Sequence, residues 1–191
     1  MNKVLITGAN SGLGMHLTKK FHSEGYSVFE HNGSAHYDLS KHEDINKLST
    51  DAIDFGVNIL INNAAIVCPN KNFSLYSDIE IQKMIAVNLT APILLTYYLQ
   101  NHLTDIININ SMVGLEVKSP RTLYSATKWG LRGFAESFKQ ENKNINVLDV
   151  YPTNIRTTPD RINAMDVAYV VDSIYNSHIS KQQKLILDGR K

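Results

Sequence analysis

KVLITGANSGLG, residues 3–14, is the stretch whose reading decides the fold. Val4, Leu5 and Ile6 form a short apolar run that stops at Gly8. Leu13, Leu17 and Phe21 then step by four, the spacing of one helix face. Gly25 follows where a helix C′ residue belongs. A strand therefore passes through a glycine-rich turn directly into an amphipathic helix. Gly8, Gly12 and Gly14 allow a tight turn and a close approach to a pyrophosphate. The helix N-terminus offers that anion free N–H groups and the positive end of its dipole. The spacing is T-G-x-x-x-G-x-G, not the commoner G-x-G-x-x-G.

Outward from this unit, the same alternation continues. Apolar, β-rich runs occupy residues 3–7, 27–31, 57–62, 105–110, 145–151 and 184–188. Helical spacing occupies 79–99, where Pro92 predicts a kink or step, then 123–142, and then 163–176 with Asp166 or Asn163 as candidate N-cap. Continuous apolar strands interleaved with helices predict a parallel sheet covered on both faces. The fold expected is α/β, a Rossmann-like doubly wound parallel sheet in a single domain over residues 1–191. Ligands of such sheets bind at the carboxyl ends of the strands.

Composition excludes several classes. The chain has 191 residues, enough for one well-buried domain. It carries a net charge of +1, which gives no electrostatic footprint for nucleic acid or an anionic membrane. Cys68 is the one cysteine, so no internal disulfide forms and a reducing, cytoplasmic setting is expected. No apolar run approaches the roughly 20 residues that span a bilayer. The seven histidines form no H-x-x-x-H pair or Cys/His cluster, so no metal is expected. Cys68 reads as an inert thiol.

The remaining strand ends carry chemistry. LYSATKWG, residues 123–130, puts Tyr124 and Lys128 on one helix face. A free phenol titrates near 10, and a nearby ammonium favours the phenolate. Ser111 ends a strand 13 residues earlier. Tyr124 and Lys128 offer a general acid/base with its tuning partner, and Ser111 a group to polarise a carbonyl.

The ordered set of motifs resembles the short-chain dehydrogenase/reductase family, in a shortened form. NNAA (62–65), VNLTAP (87–92), INSMVG (109–114), YSATK (124–128) and YPTNIRT (151–157) follow the glycine loop in the family order. The resemblance implies catalytic roles for Asn88, Ser111, Tyr124 and Lys128, with Lys128 also on the nicotinamide ribose and Asn88 holding a relay water. It implies NAD(P) contacts from Gly8, Asn10, Ser11, Gly12, Leu13 and Gly14, then Asn32, Ser34, Asp38 and Leu39. It adds Asn63, Ala64 and Ala65, Tyr124 and Lys128 again, and Pro152, Ile155 and Thr157. It also implies a homodimer or homotetramer through the helices at 79–99 and 123–142.

Three departures stand out. Only 12 residues separate Gly25 from Asp38, leaving no room for the family's helix there. The position that selects NAD through an acid falls on Asn32, 18 residues beyond Gly14, with His31, Gly33 and Ser34 around it. Without an acid to repel a 2′-phosphate, the lean is to NADP(H). Glu30 is expected to point away if Asn32 points in. After Thr157 only TPDRIN precedes the last helix, so the usual substrate lid is cut down, and Thr153 replaces a glycine. Arg121 and Arg156 border the site as solvent-exposed arginines, and Trp129 is expected to pack its helix.

The function expected is hydride transfer between a nicotinamide cofactor and a small carbonyl or secondary alcohol, with no nucleic acid or membrane partner. A catalytically weak dinucleotide-binding regulatory or scaffold protein is the alternative. Sugar-nucleotide epimerisation is a third reading, opposed by the short stretch after LILDG.

Overall fold

Apolar strands without polar alternation need cover on both faces, and the chain supplies it. The computed structural model describes residues 2–67, 71–160 and 164–190. Six parallel strands form one sheet in the order β2-β1-β3-β4-β5-β8. They are β1 (Lys3–Thr7), β2 (Ser27–His31), β3 (Ile59–Asn62), β4 (Asp105–Ile109), β5 (Asn146–Pro152) and β8 (Lys184–Leu187). A second, two-stranded parallel pair joins β6 (Ile155–Arg156) to β7 (Met165–Asp166).

Alternate strand residues feed two cores. Val4, Ile6, Ile61, Ile107 and Leu148 pack on α1 (Gly12–Ser23) and α6 (Val167–Ile179). Leu5, Leu60, Ile106 and Val147 pack on α2 (His42–Phe55), α4 (Ala91–Leu99) and α5 (Thr122–Glu141). Asp166 caps α6, accepting from the amides of Ala168 and Tyr169 at 2.9 and 3.3 Å. The other candidate cap, Asn163, lies outside the described residues.

Helix α2 is absent from the sequence reading. Its buried face is Ile45, Leu48, Ser49 and Ala52, and Gly56 ends it at φ 85°. The turns at 32–41 connect β2 to it, so β2 is the sheet edge on that side.

The step expected at Pro92 lies upstream of the proline. α3 (Asp78–Ile85) runs into a wide π turn at Ala86–Thr90 before α4 begins. Pro92 has no N–H for the carbonyl four residues back, that of Asn88. The helix widens there, and Ala91 donates to the carbonyl of Ala86. The resulting helical run, Asp78–Leu99, is long and apolar enough by composition to cross a membrane, which the sequence reading did not allow for. In this fold Ala91, Leu95 and Leu99 pack into the core.

One row of polar residues crosses the sheet beneath α5. Asn62 donates to Asn108 at 2.9 Å, and Asn108 donates to Asp149 at 3.0 Å. Lys139 of α5 reaches the other oxygen of Asp149 at 2.8 Å. All four are buried.

Candidate active site

The turn from β1 into α1 is held from both sides. On one side, Thr7 Oγ1 accepts the amides of Asn63 and Ala64 at 2.9 and 3.0 Å. Asn63 Nδ2 donates back to the carbonyls of Thr7 and Gly8 at 2.8 and 3.2 Å. On the other side, the amides of Gly8 and Ala9 donate to the ring and carbonyl of His31. Gly8 has φ 66°, the left-handed region that glycine enters without strain. Gly14 is needed for closeness: a Cβ there would overlap the Gly8 carbonyl oxygen and crowd Asn63. The start of α1 then opens into a cleft of about 580 Å³ at the carboxyl ends of the strands, a size suited to a small-molecule cofactor.

At the far end of the same cleft, β4 delivers Ser111. The turn is clamped to α5 by two bonds. Asn110 Nδ2 donates to the Lys128 carbonyl at 3.3 Å, and Lys128 Nζ donates to the Ile109 carbonyl at 2.8 Å. Ser111 forms a side-chain hydrogen bond with Tyr124, and Lys128 Nζ lies 5.7 Å from the Tyr124 ring centre. Asn88 is fully buried. Its side chain accepts from the Ile66 amide at 2.7 Å and donates to the Ile66 carbonyl at 2.9 Å. It also donates to Thr127 at 3.4 Å, and Thr127 donates to the Tyr124 carbonyl at 2.8 Å.

The electrostatics differ from the simple expectation of a lysine depressing a tyrosine. Burial raises the Tyr124 pKa above its usual 10, while the bond to Ser111 and the charge of Arg121 pull it down. Lys128 is the group moved toward neutrality: burial lowers its pKa to about 8. The desolvation of both groups outweighs their partners.

Most of the residues singled out from sequence meet in this cleft. Its lining includes Gly8, Ser11, Gly12, Leu13, Ser34, Asp38, Leu39, Asn63, Ala64, Ala65, Ser111, Tyr124, Lys128, Pro152, Ile155 and Thr157. Asn10, Gly14, Asn32 and Asn88 are not among its lining residues. Asn32 is exposed, with its carbonyl holding Asn10 Nδ2 at 3.0 Å. The residue that turns inward at the end of β2 is His31. Strand alternation accounts for this, since Glu30 faces outward to His22 at 3.6 Å. Asp38 Oδ1 is engaged by the amide and hydroxyl of Ser40 at 2.9 and 2.7 Å.

Arg121 lines the cleft, whereas Arg156 is tied to Asp166 at 3.2 Å. Trp129 is 44% exposed, with Arg132 over its ring, so it does not pack its helix inward. Cys68 lies outside the described residues. Sequence reasoning gave no role to His31, Asn110 or Thr127, although it noted His31 beside Asn32 and quoted the motifs that hold Asn110 and Thr127. It also missed Arg190, which follows β8, lines the cleft and pairs with Glu116 of the loop beyond Ser111.

Known proteins share this fold. A family model described as short chain dehydrogenase matches residues 30–165. The 3-oxoacyl-[acyl-carrier-protein] reductase FabG of Aquifex aeolicus is 31% identical over 75% of this chain and 69% of its own length. The structure of a 4-hydroxyisoleucine dehydrogenase complexed with NADH is 25% identical. It superposes with a TM-score of 0.85 over 99% of this chain and 98% of that one. A short-chain dehydrogenase from Sphingobium yanoikuyae in complex with NADPH shares the fold, with a TM-score of 0.83 at 22% identity over 97% and 87% of the two chains. By family match, sequence identity and fold alike, the chain belongs to the short-chain dehydrogenases.

Proposed function

We propose that the protein is an NAD(P)-dependent oxidoreductase that interconverts a small carbonyl compound and its secondary alcohol. The observation that carries this reading is one cleft holding both halves of the chemistry. The Ser111–Tyr124 hydroxyl pair and the Lys128 ammonium stand at one end, and the glycine turn at the start of α1 at the other. The nicotinamide group, when bound, supplies or receives the hydride. Gly8, Gly12 and the first amides of α1 would hold its pyrophosphate.

Tyr124 gives its proton to the carbonyl oxygen in reduction and takes it back in oxidation. Its raised pKa keeps it protonated, as a donor, through neutral pH. Ser111 hydrogen-bonds the same oxygen and orients it. Lys128 holds the ribose hydroxyls with the ammonium that already anchors Ile109. Pro92 deprives the Asn88 carbonyl of its ordinary helical donor, which suits that carbonyl to a relay water. The retained pair and cleft favour chemistry over a scaffold role.

The preferred cofactor in this reading is NADP(H). Ser34 and the turn at Gly33 (φ 88°) lie in the cleft beyond β2, and Lys83 lines the same region. Asp38 there is engaged by Ser40, and Asp44 by the Asp38 amide. Exposed Ile85, Tyr97 and Trp129 on α3, α4 and α5 support self-association as a dimer or tetramer.

The test is a panel of aldehydes and ketones with NADPH and NADH, run on wild type and Tyr124→Phe. Turnover with a carbonyl is expected, with a loss of roughly 10²–10⁴-fold in the variant and cofactor affinity nearly unchanged. A fully active Tyr124→Phe enzyme overturns the catalytic reading. Tighter binding of NADH than NADPH overturns the cofactor preference.

A further inference from the structure

His31 is 3% exposed and sits between two loops of the cofactor cleft. The Gly8 amide lies 3.1 Å from its Nδ1, and the Tyr37 carbonyl lies 2.8 Å from its Nε2. An amide N–H can only donate, so Nδ1 must accept. A carbonyl can only accept, so Nε2 must carry the hydrogen. Both contacts are met by one form of the ring, the neutral Nε2–H tautomer. The backbone adds to the same stitch: the Ala9 amide donates to the His31 carbonyl at 2.9 Å. The glycine turn and the adenosine-side loop at 32–38 thus meet on a single side chain. The loop has no strand pairing of its own, because β2 is the edge of the sheet there.

We propose that His31 is a positioning residue for the dinucleotide, a clasp that sets the glycine turn and the Tyr37 loop in one geometry only while its ring is neutral. A second proton would have to enter at Nδ1, where it would face the N–H of Gly8 and break that bond. The surrounding charges do not compensate. Glu30 on the same strand faces His22. In the loop, Asp38 holds Ser40. From α2, Asp51 accepts from the Tyr37 hydroxyl. From α3, Lys83 lines the same region and bears on Asp38, adding positive charge there. Burial also favours the neutral ring, holding its pKa below the usual 6.5.

The inference rests on the dinucleotide-binding reading, and its experiment separates the two. Dissociation constants for NADH and NADPH are measured by calorimetry from pH 8 to 5.5. Affinity for both is expected to be flat at high pH. Below the pH at which the ligand-free His31 ring takes up its second proton, which burial places under 6.5, it should weaken by up to tenfold per unit, as one proton must leave on binding. NADH carries no 2′-phosphate, so its titration excludes that group as the cause. His31→Asn places an uncharged acceptor where Nδ1 stands but gives up the bond to Tyr37; at pH 7.5 it should bind more weakly than wild type and more tightly than His31→Leu, and it should lose the acid limb. His31→Leu should weaken binding about thirtyfold at every pH, as two bonds near 1 kcal/mol each are lost. Flat wild-type affinity through the pH at which the ring spectrum shows His31 protonating, or wild-type affinity in His31→Leu, overturns the clasp.

A ligand-free arm uses nitrogen-detected NMR of the His31 ring, with exchange of the Gly8 amide. The expected result is the Nε2–H tautomer and faster Gly8 exchange as the ring is protonated. An Nδ1–H tautomer overturns the clasp whatever binds. If neither dinucleotide binds at pH 7.5, the functional reading fails, and the clasp is decided by the ring spectrum.

Discussion

Replacing Lys139 by Met tests the polar row under α5 and should be among the costliest single changes in the molecule. Asp149 has no exposed surface, and its two oxygens are held by Asn108 and by Lys139 Nζ. Removing the ammonium leaves a buried carboxylate with one donor, a situation that costs about 3–5 kcal/mol. For a chain of this length that is a fall in Tm of roughly 10 °C. The pH dependence supplies the signature. Burial raises the pKa of Asp149, against the pull of Lys139 and Asn108. A carboxyl whose folded pKa lies above its unfolded value contributes stability at low pH and loses it as pH rises through the folded pKa. Without Lys139 that folded pKa climbs further. The deficit of Lys139→Met should therefore be largest at pH 8 and shrink by pH 5. Urea unfolding at both pH values measures it. Adding Asp149→Asn should restore most of the loss by removing the stranded charge. A deficit under about 1 kcal/mol at pH 8, or one that does not change with pH, would refute the reasoning. Tyr124 lies 15 residues away on the same helix, about 22 Å along its axis. Activity per folded molecule should survive.

Gly14→Ala forces a methyl against the Gly8 carbonyl and Asn63. We expect about 1–3 kcal/mol of destabilisation and at least a tenfold loss of dinucleotide affinity, measured by calorimetry; affinity within twofold of wild type would contradict this. Asn88→Ala strands the Ile66 amide and carbonyl, and urea unfolding should show a loss of about 3 kcal/mol. Lys128, with its pKa near 8, loses its charge as pH rises through that value, while Tyr124 stays protonated beyond it. In the reduction direction kcat/KM should fall above about pH 8, and a profile level to pH 10 would remove Lys128 as its source.

The parts of this structure that were legible in sequence are those governed by local rules. Continuous apolar strands announced the parallel sheet, and the glycine turn announced its first crossover. Helix α2 escaped because its apolar stripe is narrow: Ile45, Leu48 and Ala52 stand among His, Glu, Asp, Asn and Lys. The widening at Ala86–Thr90 was signalled by Pro92 but falls before it, since a proline removes the donor for a carbonyl four residues earlier. His31 was one histidine among seven, and its meaning depends on Gly8, 23 residues away in sequence. Counting along the family pattern pointed to Asn32, whereas the alternation of β2 turns its neighbour inward. The tuning of Tyr124 and Lys128 depended on burial, which the order of the residues does not express.

The pairing of Arg190 with Glu116 bears on how the protein is handled at the bench. All strands of the main sheet point the same way, so Lys3 begins at the end opposite the cleft, while Arg190 follows β8 into its lining. An affinity tag added at the C-terminal end of this sequence would start within two residues of Arg190, which lines the cleft. A tag ahead of Lys3 sits a full strand length from the chemistry, which makes it the form in which kinetic constants should be measured.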